Sequence, residues 1–513
     1  MKIKMKLVLV AITLFIGIHV FAQSGGIKGT VKTSDGVAAA YVNIGLKGTA
    51  YGTVANNKGE YELKSIPPGN YSLLTSFVGL ETKEVALEVK ANETTQVPEI
   101  ILKENAQTFQ EVVVSSNTNK YNRNTPSQTL RLNTPLLEVP QNIQVVTADA
   151  LRDQQVISMS DGAIRNVSGA VRMEHWGDLY TNISSRGSQI QAFRNGFNVV
   201  ASFWGPLTED MSFVDHIEFV KGPAGFMLSN GDPSGLYNVV TKKPTGQTKG
   251  EASLTMGSFD LYRGSLDLDG KISRNGRLLY RLNVAAQNKK SFRANEYNNR
   301  YAIAPVISYQ LDEKTKLTLE YNYQHANMSD VGSYYVYSPT GFATLPVDFT
   351  TLPAGLPATN INDHSVYAII DHKFNDNWKL TGQLSRFYYY QNGSSMWPNA
   401  VFPDGKMIRS VGIWEPQSDM TMGQLLVNGD VKTGAVRHRI LGGVDMANKA
   451  YMADWGQSHA LDTVGGEFDP AKPNLGLPNN GYPQFDYSTP LEQRAQAVGG
   501  LIDQRYASGY LQD

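Results

Sequence analysis

The chain has 513 residues, a net charge of −1 and 18% charged residues, against about 25% in average soluble domains. That balance excludes a whole-protein field for nucleic acid, and the lack of Cys excludes disulfide staples, thiolate catalysis and Cys-based metal sites. Gly (47) and Tyr (26) are abundant, which favours strands and turns over helices.

Residues 1–22 read as a signal peptide. Lys2, Lys4 and Lys6 precede an apolar run from Leu7 to Phe21, and cleavage is expected after Ala22. The run is broken by Thr13, Gly17 and His19 and is shorter than the roughly 20 apolar residues a spanning helix needs. No later stretch matches its length without charges, so any membrane crossing must use β-strands, which satisfy their backbone groups in a closed barrel.

Residues 23–103 predict a small β-sandwich of seven strands. Ala40, Val42, Ile44 and Leu46 alternate onto one face, "NNKG" at 56–59 makes a turn, and strand resumes after Pro67-Pro68-Gly69. The stretch resembles the carboxypeptidase regulatory-like domain through Gly29, Val31, Gly36, Ala40, Val42, Ile44, Gly59, Tyr61, Pro68, Gly69 and Tyr71. The resemblance implies no peptidase activity.

Residues 104–134 form a polar linker with one apolar island. Glu111, Val112, Val113 and Val114 make a β-prone segment without a local partner, which could join another protein's sheet edge. It could equally be a linker strand or the last strand of the sandwich.

Residues 135–245 predict an α+β domain. "NIQVVT" is a strand, and Thr147 is the expected N-cap of a helix over "ADALRDQQ". Ser158 and Asp161 suggest a capping-box start for a second helix over "GAIRNV". Strands separated by Gly-rich turns follow at "NISSRG", "IEFVKGP" and "LYNVVTKKP".

From 246 to 513 the pattern changes to long alternating strands. Leu317, Leu319, Tyr321 and Tyr323 share one face while Lys316, Thr318, Glu320, Asn322 and Gln324 share the other. The same dyad sets Leu278, Tyr280, Leu282 and Val284 against Arg281 and Asn283. Short turns at 273–276, 312–315, 375–377 and 432–435 alternate with long connections at 288–299, 327–364, 390–418 and 450–504. One trimmed rim and one elaborated rim is the pattern of an outer-membrane β-barrel. Nine strands are complete and a tenth starts at "RYASGYLQD", so the sequence is expected to be part of a longer barrel.

"VPQNIQVVTADALRDQQ", "ISSRGSQIQAFRNGF", "DHIEFVKGPAGFMLSNGDPSGLYNVVTKKP" and "GSFDLYRGSLDLDGKI" resemble the plug and first strands of TonB-dependent ferric-siderophore receptors of the ferrichrome type. Gly162, an extra residue before Ala163, departs from that pattern and bears on one helix's register. The resemblance implies a mostly β fold: a periplasmic sandwich, an α+β plug, and a 22-stranded transmembrane barrel of which about ten strands are here. It implies a receptor in the outer membrane that binds a ferric siderophore and imports it with energy from TonB. Glu111–Val114 would be the TonB box. The implied partners are the siderophore, TonB with its inner-membrane complex, and outer-membrane lipid; nucleic acid is not among them. No cofactor is expected, because iron arrives already chelated.

Candidate ligand contacts at the plug apex are Arg172, His175, Trp176, Tyr180, Gln189, Gln191, Phe203 and Trp204, whose aromatic and cationic groups suit a chelate. Each could instead pack the plug. Arg186, Gly187, Glu218, Lys221, Gly222, Pro223, Gly231 and Gly235 fall on the family's structural motifs. With eight His and no H-E-x-x-H, G-x-S-x-G or P-loop, the sequence does not predict an enzyme. The competing reading is a glycan or peptide importer of the same architecture.

Overall fold

A computed structural model describes residues 24–77, 82–103, 119–132, 134–159, 162–172, 179–201, 207–223, 228, 232–329, 338, 341–495 and 500–513. The chain divides into two compact units between Lys120 and Tyr121.

The first unit has eight described strands where the sequence predicted seven: β1 (Gly25–Thr33), β2 (Asn43–Leu46), β3 (Gly52–Val54), β4 (Glu60–Ile66), β5 (Gly69–Ser76), β6 (Lys83–Val89), β7 (Thr94–Gln96) and β8 (Ile100–Leu102). One sheet runs β4-β1-β7 with β8 also on β1, and the other runs β3-β2-β5-β6. Alternation explains the core: Ile27 and Val31 of β1, Ile44 of β2, Leu63 of β4 and Leu73 of β5 are buried in one cluster. Each such side chain contributes about 1.5–3 kcal/mol on burial.

The second unit begins with an α+β domain. Its main sheet has the order β14-β13-β16-β15-β9, built from β9 (Asn142–Thr147), β13 (Gln191–Arg194), β14 (Phe197–Asn198), β15 (Val214–Lys221) and β16 (Gly235–Thr241). A smaller sheet joins β10 (Ala170–Arg172), β11 (Ile183–Ser185) and β12 (Ser188–Gln189). Thr147 caps helix α1 (Ala148–Asp153), its hydroxyl accepting from the Ala150 amide at 3.3 Å. The expected second helix is instead one 3-10 turn over Ala163–Asn166. Gly162 stands at its N-cap with no side-chain oxygen to offer, and Ser158 bridges Asp210; Asp161 lies outside the described residues.

The rest is one antiparallel wall. In chain order its strands are β17 (Lys249–Gly257), β18 (Leu261–Lys271), β19 (Leu278–Asn288), β20 (Asn298–Gln310), β21 (Thr315–Met328), β22 (Thr359–Lys373), β23 (Trp378–Val401), β24 (Met407–Thr433), β25 (Val436–Asp454), β26 (Ser458–Ala460) and β27 (Leu501–Gln512). Neighbours in sequence are neighbours in space from β17 to β25, then β27 pairs β25 and β26 pairs β24. The predicted long connection at 390–418 is strand: β23 and β24 have 24 and 27 residues and close in a turn at 402–406. A strand needs only about 9–11 residues to cross a bilayer, so this ribbon extends well past the membrane.

The two wall faces differ as the dyad predicts. Leu254, Leu319, Leu384 and Met446 are exposed on one, whereas Arg263, Glu320, Asn322, Gln324 and Asp445 on the other are buried. What buries the polar face is the α+β domain, which is therefore a plug. Its core runs on into the wall, joining Phe197, Ile217 and Phe219 with Tyr367, Phe387, Met420 and Ala447.

Candidate functional site

The plug's hairpin of β15 and β16 needs glycine at its mouth. Gly235 has φ +122°, and a Cβ there would strike the Val220 carbonyl; Gly222 has φ +95°, with Arg186 filling the space a Cβ would take. Arg186 and Gly187, both at positive φ, turn β11 into β12, so Arg186 sits beside plug residue Gly222. The Lys221 ammonium donates to Gln144 Oε1 at 2.9 Å and Ser168 Oγ at 2.7 Å. Burial and the Arg186 charge hold its pKa below the ordinary lysine value. Pro223 follows at the strand end, and Gly231 lies outside the described residues.

Glu218 fastens the incoming chain to the sheet. Its carboxylate accepts from the Ser127 amide at 2.5 Å, the Ser127 hydroxyl at 2.9 Å and Asn238 Nδ2 at 2.8 Å, with His216 Nε2 3.4 Å away. His216 Nδ1 lies 2.7 Å from Asp215, which also pairs with Arg123 at 3.2 Å. Burial alone would lower the His216 pKa, but Asp215 and Glu218 outweigh it and raise it above 6.5. Burial would raise Glu218, yet the His216 ring and the Ser127 and Asn238 donors bring it below 4.5. Asp215 moves the same way, with burial overcome by His216 and Arg123.

The signs of these shifts set a pH window. A lowered carboxyl stabilises above its unfolded pKa and loses this as pH falls; a raised His stabilises below its unfolded pKa and loses this as pH rises. The contact is therefore strongest between about pH 4.5 and 6.5. Glu218→Gln is expected to flatten the acid limb of the thermal midpoint plotted against pH, with an unchanged limb counting against the network.

The segment Thr208-Glu209-Asp210, which the sequence reading missed, grips three wall strands and one plug strand, and through that plug strand a fourth wall strand. Thr208 O accepts from Arg300 of β20 at 3.5 Å. Asp210 takes both Arg263 nitrogens of β18 at 2.7 and 2.6 Å, while its amide donates to Gln324 of β21 at 2.8 Å. Glu209 pairs at 3.0 Å with Arg194 of β13, and Arg194 also reaches Asp363 of β22 at 3.4 Å. An acidic pair after an apolar Leu207 was the only signal in the sequence.

Ends of the plug differ by rim. Near the short turns, Lys379 donates to Gln128 at 2.7 Å and Arg439 pairs with Glu138 at 3.0 Å, while Arg131 reaches Asp445 midway along β25 at 2.7 Å. Toward the long connections, Tyr180 bridges Leu207 and lies 3.2 Å from the Tyr389 hydroxyl and 3.4 Å from Gln391 Oε1. Its ring meets Trp414 edge-on at 5.8 Å, and Trp414 stacks on Trp455 at 6.2 Å. Burial pushes the Tyr180 phenol well above its usual pKa, keeping it a neutral hydrogen-bonding group.

Among the described candidate apex residues, Tyr180 joins these wall aromatics. Arg172 ends β10 opposite Ile183, Gln189 O accepts from Ser234 at 3.2 Å, and Gln191 Oε1 accepts from Asn198 at 3.2 Å. His175, Trp176, Phe203 and Trp204 lie outside the described residues, as do Glu111, Val112, Val113 and Val114. Tyr389, Gln391, Trp414 and Trp455 were not found from sequence: Gln391 and Trp414 belong to the ribbon read as a connection at 390–418, Tyr389 lies at its edge, and Trp455 follows β25 in the connection read at 450–504. Below Tyr180, a cavity of about 30 Å³ is lined by Arg194, Asp363, Tyr389, Ser418 and Tyr451. It has room for a water or two and not for a chelate.

Comparison with known proteins agrees with this architecture. A CarboxypepD_reg-like domain matches residues 27–114, a span that includes Glu111–Val114, and a TonB-dependent Receptor Plug Domain matches 135–236. The metal-pseudopaline receptor CntO of Pseudomonas aeruginosa is 28% identical over 338 residues, 63% of this chain and 46% of that protein. The ferrichrome outer membrane transporter/phage receptor of Escherichia coli K12 is 26% identical over 267 residues, 50% of this chain and 35% of that one. The chain thus spans less than half the length of these relatives. The crystal structure of the ferripyoverdine receptor of the P. aeruginosa outer membrane has the same fold, with a TM-score of 0.63 at 20% identity over 80% of this chain and 54% of that one. Behind a CarboxypepD_reg-like domain, this chain carries a TonB-dependent receptor plug domain set against a wall of antiparallel strands, the architecture of outer-membrane TonB-dependent receptors.

Proposed function

We propose that the protein binds a ferric siderophore at the long-connection rim and imports it into the periplasm with energy received from TonB through Glu111–Val114. The observation that carries this reading is the plug's polarity. Tyr180 joins Tyr389, Gln391 and Trp414 at one rim, while residues 128–138 are tied to Lys379 and Arg439 at the other. A passive pore has no use for a domain that fills its lumen through buried ion pairs. The metal arrives fully ligated, so the receptor supplies shape, rings and hydrogen bonds rather than metal ligands. Receptors for metal-pseudopaline and ferrichrome among the relatives support a metal chelate as cargo.

Trp455 is half-buried and stacks on Trp414 without belonging to the plug core. Trp455→Ala is expected to weaken chelate binding about tenfold, or about 1–2 kcal/mol, while leaving the fold intact. Fluorescence titration checks this, and unchanged affinity would place the ligand elsewhere. The functional reading itself is tested by growth under iron starvation on ferric hydroxamates, catecholates and carboxylates. Receptor-dependent growth on at least one class is expected. Failure on all three, with receptor-dependent growth on an oligosaccharide, would favour a glycan importer.

A further inference from the structure

Wall side chains that face the plug meet opposite charges: Arg263 meets Asp210, Asp363 meets Arg194 and Asp445 meets Arg131. Lys449 of β25 does not. It is 2% exposed, and its ammonium donates to Asn198 Oδ1 at 3.1 Å and to the Val200 carbonyl at 3.0 Å. No carboxylate of the described residues lies within 4.0 Å of it. Two neutral oxygens offset less of an ammonium's lost hydration than a carboxylate does, so this cation is held in place under-compensated.

Its position gives that imbalance a use. Asn198 and Val200 lead directly into the connection that carries Phe203 and Trp204, and Asn198 also binds Gln191 at 3.2 Å. Two residues further along the same face of β25, Tyr451 lines the small cavity together with Val199 and Ala201. If the 198–201 stretch lifts, the ammonium loses both acceptors and faces the space that has opened.

We propose that Lys449 is a positioning residue that selects a chelate of net negative charge. It holds the 198–200 stretch in the resting plug and passes its ammonium to an anionic group of the cargo when that stretch moves. This rests on the import reading and adds the charge class of the ligand to it. A neutral or cationic chelate has no group to replace the lost acceptors, so its passage gains nothing from the lysine.

The test compares Lys449→Met and Lys449→Arg with the wild type, expressed from the complete coding sequence, using a trianionic ferric tris-catecholate and a neutral ferric trihydroxamate as probes. Lys449→Met is expected to slow uptake of the anionic probe about tenfold more than uptake of the neutral one, and Lys449→Arg to recover most of that loss. Thermal midpoints and probe binding by each variant show whether the plug remains folded. An equal loss for both probes, as a purely structural tether gives, would overturn the inference. So would uptake unchanged by either substitution, or a wild type that carries only the neutral probe. A wild type that carries neither probe also overturns this inference, and the import reading falls with it only if growth on ferric carboxylates fails as well.

Discussion

Val113→Pro is expected to abolish uptake of the chelate while leaving its binding at the cell surface unchanged. A segment that couples by adding itself to another protein's sheet edge needs its backbone donors, and proline removes one and fixes φ. Glu111–Val114 precede residues 127–129, which Glu218 and Asn238 hold against the centre of the plug sheet. Tension on the segment would therefore reach the plug sheet through Arg123 and Ser127 before it reaches the wall tie at Gln128. The CarboxypepD_reg-like match reaches Val114, so the segment's rival role is as a strand of that domain. The two roles separate cleanly. A coupling segment loses transport with the thermal midpoint of the first unit intact, whereas a domain strand lowers that midpoint as well. Transport unchanged by Val113→Pro would remove the coupling role.

Arg194→Met is expected to destabilise the seated plug by about 3–5 kcal/mol, because it leaves Glu209 and Asp363 facing each other without the guanidinium between them. Arg194 and Glu209 are both almost fully buried and 3.0 Å apart, with Asp363 at 3.4 Å. Burial already pushes the Glu209 pKa above its ordinary value despite Arg194, and removing the cation pushes it further. A carboxyl whose folded pKa is raised destabilises above its unfolded pKa of about 4.5 and ceases to do so as it protonates. The variant should therefore regain stability as pH falls, the opposite of the trend at Glu218. Thermal unfolding across pH, and entry of large antibiotics through a loosened plug, check both parts. A loss below about 1 kcal/mol would mean that the triad does not hold the plug.

What could be read from sequence follows where physics acts locally. The dyad of β21 was legible because one face meets lipid and the other meets the polar plug interface. The Thr147 cap was legible because a cap is a contact three residues long. The ribbon of β23 and β24 was not. Pro398, Pro403 and Pro416 argue against strand, and residues 393–396 are buried or half-buried on both faces, so alternation disappears. Pro398 is accommodated at a bulge in the pairing with β24. The Thr208–Asp210 grip was hidden for a different reason. Its wall partners lie from 53 to 114 positions away, as Asp210 to Arg263 and Asp210 to Gln324 illustrate, and no local pattern records such distances.

Of the candidate ligand residues, Tyr180 was found as an aromatic in an apex loop, yet its wall neighbours Tyr389, Gln391 and Trp414 were not. Sequence marks a ring as available for contact. Only the fold brings rings from separate strands together.

The central claim is that this receptor moves chelated iron across the outer membrane at the expense of inner-membrane energy. Accumulation of radiolabelled ferric chelate in iron-starved cells tests it most directly, with the receptor present or deleted and with or without an uncoupler of the proton gradient. The account predicts saturable accumulation that requires the receptor and collapses to surface binding when the gradient is dissipated. Accumulation that persists with the uncoupler, or that is the same in cells without the receptor, would contradict it.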